Sequence, residues 1–150
     1  MMTEEEARDR VVAVTLEWVG TPYHDMGEVK GPRGGTDCAK LLKCVYVEAG
    51  VMEEFKIANY APQHFLHQSE EHYLSYVMPR GREIPESEVR PGDMVLYKIG
   101  KCYAHGALVV PPGWPHVVHA HYACRKVMKA DGRRPHLGTP VLGIKFFTPW

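Results

Sequence analysis

The chain has 150 residues, 45% of them hydrophobic and 24% charged, and its formal net charge is zero. That length suits one domain over residues 1–150 with a core of its own. The neutral balance excludes the basic footprint of a nucleic-acid or membrane-surface binder, and no run of residues approaches the length of a membrane-spanning helix.

The start, Met1-Met2-Thr3-Glu4-Glu5-Glu6, is acidic with no apolar stretch behind it, so no signal peptide is expected. Thr3 and Glu6 fit a capping box, and Ala7, Val11, Val14 and Trp18 recur at helical spacing until Gly20-Thr21-Pro22 stops them. The glycine-rich residues 21–36 read as loop. A second helix is expected from Cys38 to Ala49, with Leu41, Leu42, Val45 and Tyr46 inward, Lys40 and Lys43 outward and Gly50 as the stop. Loosely helical spacing predicts a short helix within Gln63–Val77, followed by breaks at Pro79, Gly81, Pro85 and Pro91. From Asp93 onward short apolar runs alternate with Gly and Pro turns. They predict strands at Met94–Lys98, His105–Val110, Val117–Tyr122, Arg125–Lys129 and Val141–Phe147. Helices first and a strand meander after give an α+β fold with a small antiparallel sheet.

The chemistry concentrates at Cys38. A helix start presents unpaired N–H groups and a partial positive charge, both of which favour a thiolate. His105, at the start of a strand with Gly106 and Ala107 beside it, is the candidate base, and a base of this kind needs a third polar group to fix its tautomer. A hairpin centred on Pro112 puts His105 across from His119, whereas one centred on Gly113 puts it across from His121, so register is expected to choose between them. Cys44 reads as core, and Cys102 and Cys124 as incidental. Cys38 and Cys44 lie ~9 Å apart along one helix, too far for a disulfide. With no C-x-x-C, reduced thiols and synthesis in a cytoplasm are expected. His116, His119, His121 and Cys124 match no standard zinc spacing, so no metal and no cofactor are expected. His64, His67 and His72 read as surface residues.

Five blocks then point to a family. Trp18-Val19-Gly20-Thr21-Pro22-Tyr23, Gly35-Thr36-Asp37-Cys38, Arg90-Pro91-Gly92-Asp93-Met94-Val95-Leu96-Tyr97, His105-Gly106 and Val118-His119-Ala120 occur in order along the chain. Together they resemble the NlpC-type cell-wall cysteine peptidases. Thr21-Pro22-Tyr23, the glycine loop and Tyr46-x-x-x-Gly50 are similar to the subgroup associated with phage tails. The resemblance implies a compact papain-like fold and hydrolysis of an amide in peptidoglycan stem peptides, typically between D-γ-glutamate and a diamino acid. It implies Cys38 as nucleophile, His105 as base and His119 as the third residue, with His121 as the alternative. It further implies Tyr23 and Asp37 at the substrate and oxyanion side. Phage tail proteins are the implied partners, and a tail-borne location would bring the enzyme to the wall. Where the family often has Ser-Gly after the cysteine, this chain has Ala39-Lys40. That change removes a hydroxyl and adds a cation beside the cleft. A non-catalytic tail-assembly or wall-binding module, and an acyltransferase using the same thiol, are the other readings.

Overall fold

In the computed structural model, residues 1–57 and 72–150 are described. Helix α1 (Glu4–Trp18) begins as the sequence predicts: the Thr3 hydroxyl accepts the N–H of Glu6 at 3.1 Å, and Ala7, Val11, Val14 and Trp18 are buried. Helix α2 (Cys38–Glu48) starts at the expected cysteine and is followed by Gly50 in the left-handed region at φ 80°. The described part of the helix expected within 63–77 is α3 (His72–Val77). The rest of it, His64, His67 and the side chain of His72 lie outside the described residues.

The segment expected to be loop contains a two-stranded hairpin, β1 (Glu28–Val29) paired with β2 (Gly35–Thr36). A Cβ on Gly27 would overlap the carbonyl oxygen of Gly35, and one on Gly34 that of Val29. The hairpin is therefore closed by main chain approaching main chain, which only glycine allows. It also overturns the outward reading of Lys40 and Lys43, which are 7% and 5% exposed. Glu28 folds over this face of α2 and takes Lys43 at 2.7 Å and Lys40 at 3.3 Å, while Glu54 takes Lys43 from the other side at 2.7 Å. The cation that Lys40 would have added to the cleft is spent on Glu28.

The remaining strands are β3 (Arg82–Ile84), β4 (Met94–Ile99), β5 (Cys102–Val109), β6 (His116–His121), β7 (Lys126–Asp131) and β8 (Val141–Thr148). Strand β3 was not anticipated, being three residues between Gly81 and Pro85. The order is β3-β8-β4-β5-β6-β7, all antiparallel, so β8 interrupts a simple meander. One face carries Met94, Leu96, Leu108, Val118 and Ala120 against α1 and α2. The other carries Val95, Tyr97, Ala107, Val109 and Val117 in a smaller core with Trp114 and Leu137. Strands buried on both faces lose the strict polar alternation of a one-sided sheet. No helix among the described residues is long and apolar enough to cross a membrane.

A buried ion pair ties the N-terminal helix to the sheet. Arg8 and Asp93 lie 3.0 Å apart, with side chains 7% and 0% exposed. The same guanidinium donates to Pro91 O and lies 4.6 Å from the Trp150 ring centroid, and the other Asp93 oxygen accepts the N–H of Arg90. Removing Asp93 takes from Arg8 its buried partner and from the Arg90 N–H its acceptor, leaving the guanidinium only the half-exposed carboxylate of Glu4 at 3.0 Å as counter-charge among the described residues. Asp93→Ala is accordingly expected to lose about 3–5 kcal/mol of stability, measured by urea denaturation. A loss under 1 kcal/mol would mean that the pair does not fasten α1.

Candidate active site

Asp37 is the N-cap of α2 and is 2% exposed. One carboxylate oxygen accepts the N–H of Lys40 at 2.9 Å and the other that of Met26 at 2.7 Å. The residue placed by resemblance at the substrate side is thus engaged in starting the helix and anchoring the glycine loop. Cys38 follows as the first helical residue and is half-buried.

Where the thiol goes depends on how β5 and β6 part. In β5, the N–H of Val109 points to Asp93 on the β4 side and that of Val110 to His116 on the β6 side. Even-numbered residues therefore face β6 with their main-chain polar groups. The β5–β6 ladder runs through Val109↔Val117 and Leu108↔Val118. Beyond it, the Cys38 thiol donates to Ala104 O at 3.6 Å, and the Gly106 N–H is among the groups that favour its thiolate. The thiol fills the place where the next ladder bonds would form, against the main chain on both sides of His105.

His105 is 7% exposed and pairs with Tyr97 across β4, their rings 5.8 Å apart. Its Nε2 is 2.8 Å from Nδ1 of His119, which is fully buried. The ladder register is the one centred on Gly113, which was expected to select His121. That expectation fails because the strands separate before reaching His105, and the ring meets His119 on the diagonal instead. His121 is engaged elsewhere: its Nδ1 accepts the N–H of Cys124 at 3.0 Å, so its Nε2 is the protonated nitrogen and donates to His136 O at 2.8 Å and Pro135 O at 3.2 Å. His116 is exposed at the start of β6. Among the described residues no cluster of three or more His, Cys, Asp or Glu is arranged to hold a metal ion.

Tyr23 completes the arrangement. Its N–H bonds Arg125 O at 2.8 Å, and its ring meets Tyr122 edge-on at 5.3 Å. Gly20 N–H to Val127 O and Val127 N–H to Thr21 O fasten the same loop to β7. Burial first, then the charges of Cys38 and Asp37, push the Tyr23 phenol up, so it remains a hydrogen-bond donor.

The electrostatics differ from the simple helix-start argument. Burial, and after it the charge of Asp37, push the Cys38 thiol up, against the N–H groups of Gly106, Ala39 and Cys38 that favour the thiolate. Burial, then His119 and His121, hold His105 well below the usual histidine value, and burial brings His119 down to about 4. The resting thiol and imidazole are both neutral. Asp37→Asn keeps an effective cap but removes a negative neighbour. The pH midpoint of Cys38 alkylation should lie above the free-thiol value of ~8.5 in the native protein and fall in the variant. An upward move in the variant would refute this balance.

No family model matches the sequence, and no curated protein matches it. Solved structures do match. The NlpC/p60 domain of the peptidoglycan hydrolase SagA superposes with a TM-score of 0.61 at 18% identity, covering 94% of this chain and 97% of that one. The fold is that of NlpC/p60 domains. NlpC1 from Trichomonas vaginalis gives a TM-score of 0.64 at 16% identity over 99% of this chain, which spans about half (47%) of that protein. RipD from Mycobacterium tuberculosis, a non-catalytic NlpC/p60 domain protein adapted to peptidoglycan binding, gives 0.56 at 16% identity over 95% of both chains. The α+β architecture, with Cys38 at a helix start packed against an antiparallel sheet, agrees with the sequence reading.

Proposed function

We propose that this chain is a thiol-dependent hydrolase acting on amide bonds of peptidoglycan stem peptides. The observation that carries the reading is the thiol of Cys38 lodged against the main chain of His105, whose ring is in turn held by His119. With His119 Nδ1 accepting from Nε2–H of His105, the His105 Nδ1 lone pair is left for the thiol. Sγ attacks the carbonyl carbon as its proton passes to that nitrogen. The C–N bond then breaks as the proton moves on to the leaving amine, and water cleaves the thioester to release the acid and free thiol. The Cys38 N–H and the protonated Tyr23 hydroxyl are the donors for the oxyanion. A neutral pair suits this route, since proton transfer and attack occur together rather than from a preformed thiolate.

The bond read as the target is that between D-γ-glutamate and the diamino acid, on the strength of the motif resemblance. The test is release of peptide fragments from purified diaminopimelate-type peptidoglycan. Native protein should release fragments whose masses name the bond, and Cys38→Ala should lower the rate at least a thousandfold. Fragments from both proteins alike would end the proposal.

A wall-binding module without turnover is the second reading, favoured by the upward shift of the Cys38 thiol. It predicts retention on peptidoglycan with no fragments from either protein. An acyltransferase would use the same thioester, resolved by an amine instead of water, and product masses distinguish it.

Delivery by a phage or prophage tail is the finer part of the proposal, supported by the similarity of Thr21-Pro22-Tyr23, the glycine loop and Tyr46-x-x-x-Gly50 to the tail-associated subgroup. Synthesis in a bacterial cytoplasm, with tail proteins as partners, belongs to the same reading. Mass spectrometry of purified particles should find the chain as a stoichiometric component, and its absence would count against tail delivery.

A further inference from the structure

The third residue of the site is itself poorly fixed by hydrogen bonds. His119 is fully buried, its Nδ1 meets His105, and its Nε2 has no hydrogen-bond partner among the described residues. A buried imidazole bonded through one nitrogen can carry its proton on either, and only one choice serves the chemistry. If Nδ1 of His119 were protonated, His105 would have to accept at Nε2 and hold its own proton on Nδ1, the atom that must receive the proton of Cys38.

Next to His119 on the same strand face stands His121, the ring centroids 5.0 Å apart and the planes at 77°. His121 is pinned at both nitrogens by main chain, through Cys124 N–H on one side and the carbonyls of Pro135 and His136 on the other. With both nitrogens committed, what His121 has left to meet His119 is its π face or a C–H edge. An edge-to-face contact prefers a positive edge on that face, and an N–H is such an edge. We propose that His121 is a positioning residue: its pinned ring receives the Nε2–H edge of His119, fixing His119 in the tautomer that leaves Nδ1 to accept from His105. The role rests on the hydrolase reading for its catalytic consequence but not for its geometry. His121 touches neither thiol nor substrate in this scheme. It sets the orientation of the residue that orients the base.

Two variants separate the π face from the hydrogen bonds. His121→Phe keeps a ring and loses the main-chain bonds, whereas His121→Asn keeps polar groups for the main chain and loses the ring. The readout is the tautomer of His119 in the full-length ¹⁵N-labelled chain, from long-range ¹H–¹⁵N correlations, together with kcat and KM on a stem-peptide substrate. Native protein should show His119 as the Nε2–H tautomer alone. His121→Asn should give a mixture and a kcat lower by about tenfold, a fraction of the 10²–10⁴ that a positioned base contributes, with KM unchanged. His121→Phe should restore the single tautomer and most of kcat. A mixed tautomer in native protein, or a single one in His121→Asn, overturns the role. Absence of turnover in native protein sinks the hydrolase reading while the tautomer result still decides this one. Should His121→Asn fail to fold, loss of the single tautomer in His121→Phe overturns the proposal and its retention sustains it.

Discussion

Everything at the site depends on two strands that begin as a hairpin and then separate. An antiparallel ladder satisfies every second main-chain group on each strand, and stopping it inside a buried sheet leaves N–H and C=O groups to be met some other way. Here the sulfur of Cys38 meets them at Ala104 and Gly106. The parting thus does two things at once: it admits the end of α2 between β5 and β6, and it lets the ring of His105 reach diagonally to His119. A continuous ladder would pair His105 with His121 and leave no room for the thiol.

The cost of that arrangement is electrostatic. Where the fold holds them, the thiol and both imidazoles are disfavoured in their charged forms. Asp37 adds to this at Cys38, yet it cannot be dispensed with, because its two oxygens start α2 and anchor the loop at Met26. The same carboxylate that sets Cys38 in place also holds back its ionisation. Fold and reactivity pull in opposite directions at one residue.

Local signals in the sequence carried far. The Thr3 cap, the Gly50 stop and the Cys38 helix start depend on neighbours within a turn, and all three appear as expected. Of the joint pattern Cys38, His105 and His119, the two rings meet at 2.8 Å, and the Cys38 thiol bonds the carbonyl of Ala104, the residue before His105. What escaped depends on long-range approach. The β1–β2 hairpin closes through main chain at Gly27 and Gly34, where no side-chain periodicity exists to read. Lys40 and Lys43 become buried only because Glu28 arrives from that hairpin. The choice of His119 over His121 follows from where a ladder ends, which parity arguments assume away. Arg8 and Asp93 are 85 positions apart, so no local pattern announces their pairing.

The loop that carries Tyr23 has one more consequence. Strand β7 is an edge of the main sheet, and an uncovered edge invites pairing with a second molecule. Residues 20–23 bond to Arg125 just before it and to Val127 within it, and Pro22 forms an isolated bridge with Lys126. The segment that carries the Tyr23 phenol therefore also covers part of a strand edge open to pairing. Loosening it would disturb the site and bare the strand edge together, so the two cannot be varied independently at this loop.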